Sequence, residues 1–422
     1  MDAKKIYEQL FYLDRSLMGS ANDKALELIG AEIPLRIYSF RSGDKVFDWQ
    51  IPKEWIFHSG HMVDQDTGKT LLNAADNILR VVNYSEKFHG TVEYKQLVKH
   101  LHYSHVMPNA IPYLTSYYAK NWGLCMPQKQ FHQLNKKHTY KVEIDVERKS
   151  GVMNIGEAVI KGKSDKEVVY SSYLCHPRQA HDGLSGVVMM LLLFHLLRDS
   201  NNYYTYRFLF IPETIGSIAL LSRNIIRPSR VEYALVVTCV GRGEHINYKK
   251  TFLANHTIDR VVERVLKKKG RKYTVRTFWP QGSDERQFSS PSIRIPTGSI
   301  MGNVYQEYPE YHTSADNLNY VSLPAVKKFA QLYYQVAKEY EQYPKLINNL
   351  PGGEPFLTKY GLYRVLGVPG HTSQETIRSW ILFLADGSHT IVDMAAETGF
   401  TERELKPFVA QLLKMKLIKE TE

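Results

Sequence analysis

Four side chains that can bind a metal ion or transfer protons follow segments that the sequence predicts as β-strands. His176 and Asp182 lie in the stretch SSYLCHPRQAHDGLSG, Glu213 follows YRFLFI and a proline, and His312 lies in YPEYHTSADNL. Imidazole nitrogens and carboxylate oxygens are the ligands of catalytic zinc, which keeps one position open for water. Each residue also has a simpler interpretation, because Asp182 is well placed to cap the next helix and His176 to be an ordinary loop histidine. The residues alone leave a metal site and a polar capping loop both open.

The segments around these residues alternate between strands and helices from about residue 138. Apolar strand patterns such as EVVYSSYL, YRFLFI and YALVVTCV are separated by helical patterns such as SGVVMMLLLFHLLRD. This alternation predicts an α/β fold, a mostly parallel twisted sheet with helices on both faces. Functional residues of such sheets gather at the carboxyl ends of the strands. The fold therefore predicts that the four side chains meet.

Two other regions have a different texture. Residues 42–135 show short strand and turn patterns with aromatic clusters, and predict a β-rich domain. The last fifty residues predict three helices, with the tight turn ETGFT between the second and third, as in a helix-turn-helix or winged-helix module. From residue 371 to 422 there are six Lys/Arg and eight Asp/Glu, a net charge of −2. Because duplex DNA is bound largely through its phosphates, we expect this module to serve docking or homo-oligomerisation instead.

Length and composition limit the class of protein. The chain has 422 residues and a formal net charge of +11, which predicts two or three domains and raises the question of nucleic-acid binding. Its densest basic cluster, KKKGRK at 267–272, is typical of a solvated surface, so nucleic acid is not the expected partner. The N-terminus lacks the apolar core of a signal peptide, and the longest apolar run, GVVMMLLLF, is too short to cross a bilayer. With three cysteines and no disulfide framework, we expect a cytoplasmic protein without membrane contact.

The order His, Asp, Glu, His on an α/β sheet resembles the zinc aminopeptidases of the M28 type. A bacterial branch, the aminopeptidase-like proteins described as polysaccharide-biosynthesis proteins, resembles the chain more closely. The resemblance spreads over most of the first 320 residues and is carried by SGDKVFDWQIPKEW, NYS, IPYLTSYYAKNWGLCMP, YLCHP, DGLSG, IPETIGSI, TCVG, GSDERQF and YPEYHTSADNL. It implies a discontinuous peptidase domain (1–41 and 136–350), a β-rich insertion (42–135) and a winged-helix-like module (351–422).

The resemblance also implies an activity. His176, Asp182 and His312 match the positions of metal ligands for one or two zinc ions, and Glu213 matches the general base. The implied function is a metal-dependent aminopeptidase or amidohydrolase that cleaves a small peptide or amide with metal-activated water. The name of the branch adds a sugar-linked amide as one candidate substrate.

Two positions depart from the pattern of the family. Two-metal members carry adjacent glutamates, and here Thr214 follows Glu213; an acidic ligand is expected after YALVVTCVG, and here Arg242 stands there. His181 or Glu244 can substitute as a ligand. Alternatively the site is catalytically degenerate, with Arg242 filling the metal position and bridging Asp182 or Glu213, and the protein acts as a binding or scaffold partner.

Further residues are assigned to substrate binding. Asp284 and Glu285 in GSDERQF either engage a free α-amine or are simply early acids of a helix. In an active enzyme Arg242 is expected to bind an anionic group of the substrate, and Tyr311 to line the cleft. Cys175 is excluded as a nucleophile paired with His176, because adjacent strand residues point to opposite faces.

Overall fold

The computed structural model describes residues 1–268, 270, 272–350, 352–362 and 373–421. Within these ranges the strands are β1 (Arg36–Arg41), β2 (Lys45–Val46), β3 (Trp49–Gln50), β4 (Glu54–Asp64), β5 (Thr70–Asn73), β6 (Phe88–Glu93), β7 (Leu101–His102), β8 (Leu124–Cys125), β9 (Thr139–Lys149), β10 (Val152–Ile160), β11 (Glu167–Tyr173), β12 (Thr205–Ile211), β13 (Val231–Val236), β14 (Ile246–Lys249), β15 (Tyr273–Arg276), β16 (Thr297–Met301), β17 (Lys345–Asn348), β18 (Asp386–Thr390) and β19 (Ile418–Glu420). The α-helices of the same ranges are α1 (Ala3–Phe11), α2 (Ser20–Gly30), α3 (Tyr94–Leu97), α4 (Gln128–Phe131), α5 (Ser185–Arg198), α6 (Ile215–Ser222), α7 (Thr257–Lys268), α8 (Glu285–Phe288), α9 (Leu323–Tyr340), α10 (Ser373–Leu384), α11 (Ile391–Thr398) and α12 (Glu402–Lys414).

The largest sheet has eight strands in the order β1-β10-β12-β11-β13-β16-β14-β15. Its centre is parallel, because β12, β11, β13 and β16 pair in the same direction. The strands β1 and β10 add antiparallel pairings on one side, and β14 pairs antiparallel with β16 on the other. The α/β fold is thereby confirmed. The antiparallel flanks make the sheet mixed, and its parallel centre is the part that places the candidate site.

Helix α5 is apolar on nearly every side, and most of its residues are buried in the protein. Together with the turn before it, the segment Ala180–Arg198 is long and apolar enough to cross a bilayer. However, 83% of its most apolar window is buried inside the protein. A helix that is hydrophobic all round is expected in the core of a large protein, and the burial favours that assignment.

A second sheet, β5-β4-β9-β6, lies in the β-rich region. Every second residue of β9 faces the core, with Tyr140, Val142, Ile144 and Val146 buried, as alternation along a half-exposed strand requires. This strand comes after residue 135, so the sheet uses residues beyond the predicted insertion. The predicted divisions at residues 42, 135 and 351 remain a prediction.

The chain forms two compact units, residues 1–252 with 270–334 and residues 253–269 with 335–422. The second unit contains α10, α11 and α12 and the sheet β18-β17-β19. Capping boxes at Thr390 and Thr401 begin α11 and α12, and Gly399, with φ of 76°, ends α11. Gly399 and Thr401 are therefore the stop signal of α11 and the start signal of α12 within the predicted ETGFT turn. In the basic cluster at 267–272, Lys269 and Arg271 lie outside the described residues.

One buried charge network crosses the large sheet. The Arg207 guanidinium on β12 donates to both carboxylate oxygens of Glu167, at 2.7 and 3.0 Å, and also to Glu157. Both glutamates are buried, and Tyr38 donates a further hydrogen bond of 2.9 Å to Glu157. The network satisfies two buried carboxylates with one bidentate cation.

Candidate metal centre

The carboxyl ends of neighbouring parallel strands supply the candidate residues. His176 comes three residues after the end of β11, Glu213 two residues after β12, and Thr238 two residues after β13. His312 lies in the loop that follows β16. The structure brings His176, Asp182 and His312 together, with Glu213 beside them.

The three potential ligands form one tight group. One donor atom each from His176, Asp182 and His312 lies within 4.8 Å of the other two. Asp182 Oδ2 and His312 Nε2 are 3.0 Å apart, and apart from this contact with each other both are buried atoms without a hydrogen-bond partner. Buried polar atoms in proteins are normally paired. Two unpaired donor atoms of the right chemical type, side by side, fit a metal ion.

Hydrogen bonds hold Asp182 in this orientation. Its Oδ1 accepts from the Tyr173 hydroxyl and from Thr238 Oγ1 at 3.3 Å, which leaves Oδ2 for a cation. The Asp316 carboxylate accepts from the backbone N–H groups of His181 at 2.5 Å and Asp182 at 3.0 Å, and so fixes the loop. Such outer contacts orient metal ligands in known sites.

The local electrostatics favour the protonation states that a metal ion requires. Burial raises the pKa of Asp182. His176, His312 and the Tyr173 hydroxyl lower this pKa by more than burial raises it, so the net shift is downward. Burial lowers the pKa of His176 to about 3 despite the opposing effect of Asp182. A neutral imidazole and an ionised carboxylate are the forms that bind metal.

Glu213 is held at the edge of the group. Its Oε2 is 3.9 Å from His176 Nε2, and its Oε1 accepts a 2.6 Å hydrogen bond from Ser283 Oγ. Burial raises the pKa of Glu213, and the neighbouring Asp284 raises it further. The arrangement leaves Oε2 facing the group, where it can exchange a proton.

Residues 4–343 match a family described as Domain of unknown function (DUF4910). The chain belongs to the DUF4910 family. In this DUF4910 chain, residues 345–420 also match a winged helix-turn-helix family, which confirms the predicted type of module.

Two similar proteins cover nearly the whole chain. A Clostridium acetobutylicum protein named "Putative polysaccharide biosynthesis protein with aminopeptidase-like domain" is 38% identical over 415 residues, 98% of this chain and 95% of its own. A crystal structure described as a "putative peptidase" from the same organism has a TM-score of 0.78 and 36% identity, and covers 99% of this chain and 96% of its own.

More distant structures show the fold alone. The zinc aminopeptidase BSAP from Bacillus subtilis has a TM-score of 0.57 at 14% identity, covering 80% of this chain and 94% of its own. A peptidase M28 precursor from Shewanella amazonensis SB2B has a TM-score of 0.56 at 13% identity, covering 79% and 92%. The DUF4910 chain therefore has the fold of the M28 zinc aminopeptidases, as the resemblance in sequence implied.

Neither proposed substitute ligand joins the group in this DUF4910 chain. His181 is buried with both ring nitrogens engaged: Nδ1 accepts from the Gly241 N–H at 3.0 Å and Nε2 lies 3.1 Å from Asn303 Oδ1. Glu244 is exposed, and its carboxylate lies 3.8 Å from Arg242. Of the alternatives that the sequence left open, a substitute ligand at His181 or Glu244 is therefore absent from the group formed by the described residues.

The two departures from the family pattern have defined surroundings. The Arg242 guanidinium lies 4.5 Å over the Tyr320 ring, and 38% of its side chain is exposed. Thr214 has φ of 66°, which is strained for a β-branched residue, and its N–H donates to Asp284 Oδ1 at 2.8 Å. The expected pairing of Arg242 with Asp182 or Glu213 is not among the ion pairs of the described residues.

The residues assigned to substrate binding have internal contacts. Asp284 Oδ1 also accepts from Ser217 Oγ at 2.6 Å, while its Oδ2 is buried without a hydrogen-bond partner. Glu285 lies 3.6 Å from the buried Lys249 ammonium. Tyr311 stacks on His312, with ring centroids 4.0 Å apart. Their roles toward a substrate remain predictions.

The argument against contact between Cys175 and His176 was wrong. Strand β11 ends at Tyr173, so the alternation of a strand does not apply, and Cys175 Sγ lies 3.3 Å from His176 Nδ1. The thiol also accepts a 3.2 Å hydrogen bond from the Glu213 N–H, and burial raises its pKa. A buried neutral thiol is a packing residue rather than a nucleophile.

Sequence analysis did not identify the residues that hold the group in place. Tyr173, Thr238, Ser283 and Asp316 all touch a predicted site residue. Each of the four lies in a stretch that carries the resemblance, YLCHP, TCVG, GSDERQF or YPEYHTSADNL, but no residue pattern within these stretches marks it as a partner of the site.

Proposed function

We propose that this chain is a zinc-dependent aminopeptidase or amidohydrolase that cleaves a small peptide or amide. One observation carries the proposal, the convergence of His176, Asp182 and His312 with two buried, unpaired donor atoms between them. Three protein ligands with an open position are typical of catalytic rather than structural zinc sites.

The residues divide the chemistry between them. His176, Asp182 and His312 would hold the ion, and Tyr173 and Thr238 keep Asp182 Oδ2 directed at it. When bound, zinc acts as a Lewis acid that polarises a carbonyl and makes water easier to deprotonate. Glu213 Oε2 accepts a proton from the attacking water and returns it to the leaving amine, while Ser283 holds the opposite oxygen.

We propose one ion rather than two. A second ion needs further acidic ligands, and the two positions where the family supplies them hold Thr214 and Arg242. The alternative is a catalytically degenerate binding or scaffold protein, which these same two residues favour. The position of Arg242 supports the active form, because a degenerate site was expected to have this cation bridge Asp182 or Glu213, whereas it stacks on Tyr320 and its ion pair is with Glu244 at 3.8 Å.

Metal analysis tests the proposal. The wild-type protein, purified without chelators, should contain about one equivalent of zinc, and His312→Ala should lose it because a ligand is removed. His138→Ala is the matched control and should keep the zinc. His138 belongs to the other group of His and Asp side chains, Asp64, Asp66 and His138. Its two ring nitrogens already contact Asp64 and Asn135. A wild-type protein that takes up neither Zn²⁺ nor Mn²⁺ nor Co²⁺ would support the scaffold alternative.

Glu213→Gln then separates binding from catalysis. The variant should keep its zinc and lose turnover of aminoacyl-amide and sugar-amide substrates, because an amide cannot accept the proton. Unchanged turnover would remove Glu213 as the base.

Three further parts of the proposal concern context. We propose a sugar-linked amide among the substrates, following the name of the Clostridium relative, and a cytoplasmic location, supported by three free, buried cysteines. We also propose self-association through the winged-helix unit, whose Trp380 and Phe383 are exposed neighbours. Cell fractionation and light scattering of Phe383→Glu test the last two.

A further inference from the structure

A pocket of about 640 Å³ lies on the first compact unit, between the β2–β3 hairpin and the tyrosine-rich segment around residue 117. Its volume falls within the range of about 300–1,000 Å³ that is usual for ligand sites. The proposed hydrolytic mechanism does not use it.

Aromatic rings form much of the wall. Trp49 and Tyr118 pack edge-to-face at 5.8 Å between centroids, and remain 41% and 49% exposed. Tyr84 and Tyr117 form a second pair at 5.7 Å. Trp49 and Tyr118 therefore expose aromatic surface within a concave part of the molecule.

The positions of these rings are fixed by hydrogen bonds. The Tyr118 hydroxyl donates to Gln50 O at 3.1 Å, and the Tyr84 hydroxyl donates to Lys53 O at 3.1 Å. Two rings from different parts of the chain are thus tied to the hairpin that supplies Trp49 and to the residues that directly follow it. A wall built in this way is prepared before a ligand arrives, which reduces the entropic cost of binding.

The polar groups of the wall carry both signs of charge. Asp48 and Gln50 lie on the same wall as Lys53 and Arg148. Arg148 is already engaged, because it pairs with Glu86 at 3.1 Å and donates to the backbone of Tyr84. An anion such as phosphate would meet Asp48, and a purely apolar side chain would desolvate these groups without hydrogen bonds.

One segment of the chain joins the pocket to the candidate metal centre. Tyr113 lies 5.2 Å from the His176 ring and 5.0 Å from the His312 ring. Four residues later along the same segment, Tyr117 lines the pocket. The pocket and the candidate ligands therefore share this short segment.

We propose that this pocket binds a neutral saccharide, the sugar part of the amide substrate. A sugar ring has an apolar C–H face, which suits the negative face of an aromatic ring, and hydroxyls that both donate and accept hydrogen bonds. This inference rests on the proposed function only where it joins the sugar to the amide substrate. Binding of the sugar itself does not require a metal.

Saturation-transfer NMR and calorimetry with the full chain test this assignment. The probes are maltotriose, cellotriose and tri-N-acetylchitotriose, with inorganic phosphate and the dipeptide Phe-Phe for comparison. At least one trisaccharide should bind, and Trp49→Ala should weaken its binding about tenfold or more, as loss of an aromatic anchor does. Trp49→Phe should retain most of the affinity.

Trp380→Ala is the matched control, because Trp380 is 40% exposed but belongs to the winged-helix unit. Tyr118→Ala repeats the test at the ring that packs against Trp49 and guards against misfolding of the Trp49 variant. The proposal is overturned if no trisaccharide binds, if binding survives both wall substitutions, or if only phosphate or the dipeptide binds in a manner that depends on Trp49.

Zinc analysis on the same samples separates the two proposals. Saccharide binding that depends on Trp49 in a protein that takes up no metal would refute the hydrolase and leave the pocket assignment standing. Zinc-dependent amide hydrolysis without saccharide binding would do the reverse.

Discussion

The hydroxyl of Tyr173 donates a hydrogen bond to Asp182 Oδ1, on the side of the carboxylate opposite the unpaired Oδ2. Tyr173 is the last residue of β11, so the sheet itself positions the group that orients the carboxylate. The end of β11 therefore sets the orientation of the Asp182 carboxylate.

Removing that hydroxyl should weaken metal binding without removing a ligand. For Tyr173→Phe we expect zinc affinity to fall about 10–100-fold, the usual effect of losing an orienting partner. Competition with a fluorescent chelator measures the change. Tyr140→Phe, which removes another hydroxyl whose hydrogen bond goes to the backbone of Asn135, should leave the affinity unaltered, and an equal loss in both variants would contradict the role of Tyr173.

Arg242→Asp distinguishes an active from a degenerate site. Since the guanidinium is partly exposed over Tyr320, we expect the metal content to stay the same and the KM for substrates with an anionic group to rise. Elemental analysis and steady-state kinetics give the two results. Metal binding by the variant but not by the wild type would mean that Arg242 suppresses the site. Arg223→Asp, at an exposed position near Asp44, controls for the change of charge.

Arg207→Met should be among the most destabilising substitutions in the large sheet. It leaves the buried carboxylates of Glu157 and Glu167 without their cation, which typically costs about 3–5 kcal/mol. Urea unfolding measures the change in the free energy of unfolding. Arg223→Met on the surface should stay within about 0.5 kcal/mol of wild type; similar losses for both arginines would show that the network adds no stability.

The winged-helix unit should carry a pH-dependent contact at His389. Its Nδ1 lies 2.9 Å from Asp386 and its Nε2 3.1 Å from Glu397. Partial burial lowers the pKa of His389, but the hydrogen bond and charge of Asp386, with Glu397, outweigh it and raise the pKa above its ordinary value. The protonated imidazole therefore stabilises the folded state at low pH, and this contribution is lost as the pH rises through the raised pKa.

Hydrogen exchange of α11 measures that contribution. His389→Gln should lose protection at pH 5.5 and differ little from wild type at pH 9, after correction for intrinsic exchange rates. Glu397→Gln should show part of the same effect, because one carboxylate remains. A loss of equal size at both pH values would mean that the contact is independent of the charge on His389.

The fold was predictable because its signals are local. Apolar runs such as YRFLFI mark buried strands, and ETGFT contains the glycine that ends α11 with positive φ. The parallel centre of the sheet follows from the alternation of strands and helices. The antiparallel flanks did not follow, because pairing between β14 and β16 depends on tertiary placement rather than on either sequence alone.

The candidate site was predictable only in part. The rule that parallel strands end at one edge anticipates that His176 and Glu213 lie together. No such rule identifies Thr238, whose hydroxyl reaches Asp182 from the next strand, or separates His181 from His176 as a buried residue with two hydrogen-bonded nitrogens. These distinctions depend on side-chain directions in loops, for which the sequence has no periodicity.

The Asp316 carboxylate holds the backbone of His181 and Asp182 from a position far along the chain, four residues beyond His312. A growing polypeptide that has emerged only as far as Asp182 thus has neither the second histidine nor the anchor of its loop. The centre can assemble only after residue 316 has left the ribosome. Uptake of the proposed ion would therefore follow synthesis of residue 316, and a cell short of that ion would be expected to accumulate folded but unloaded molecules rather than arrested nascent chains.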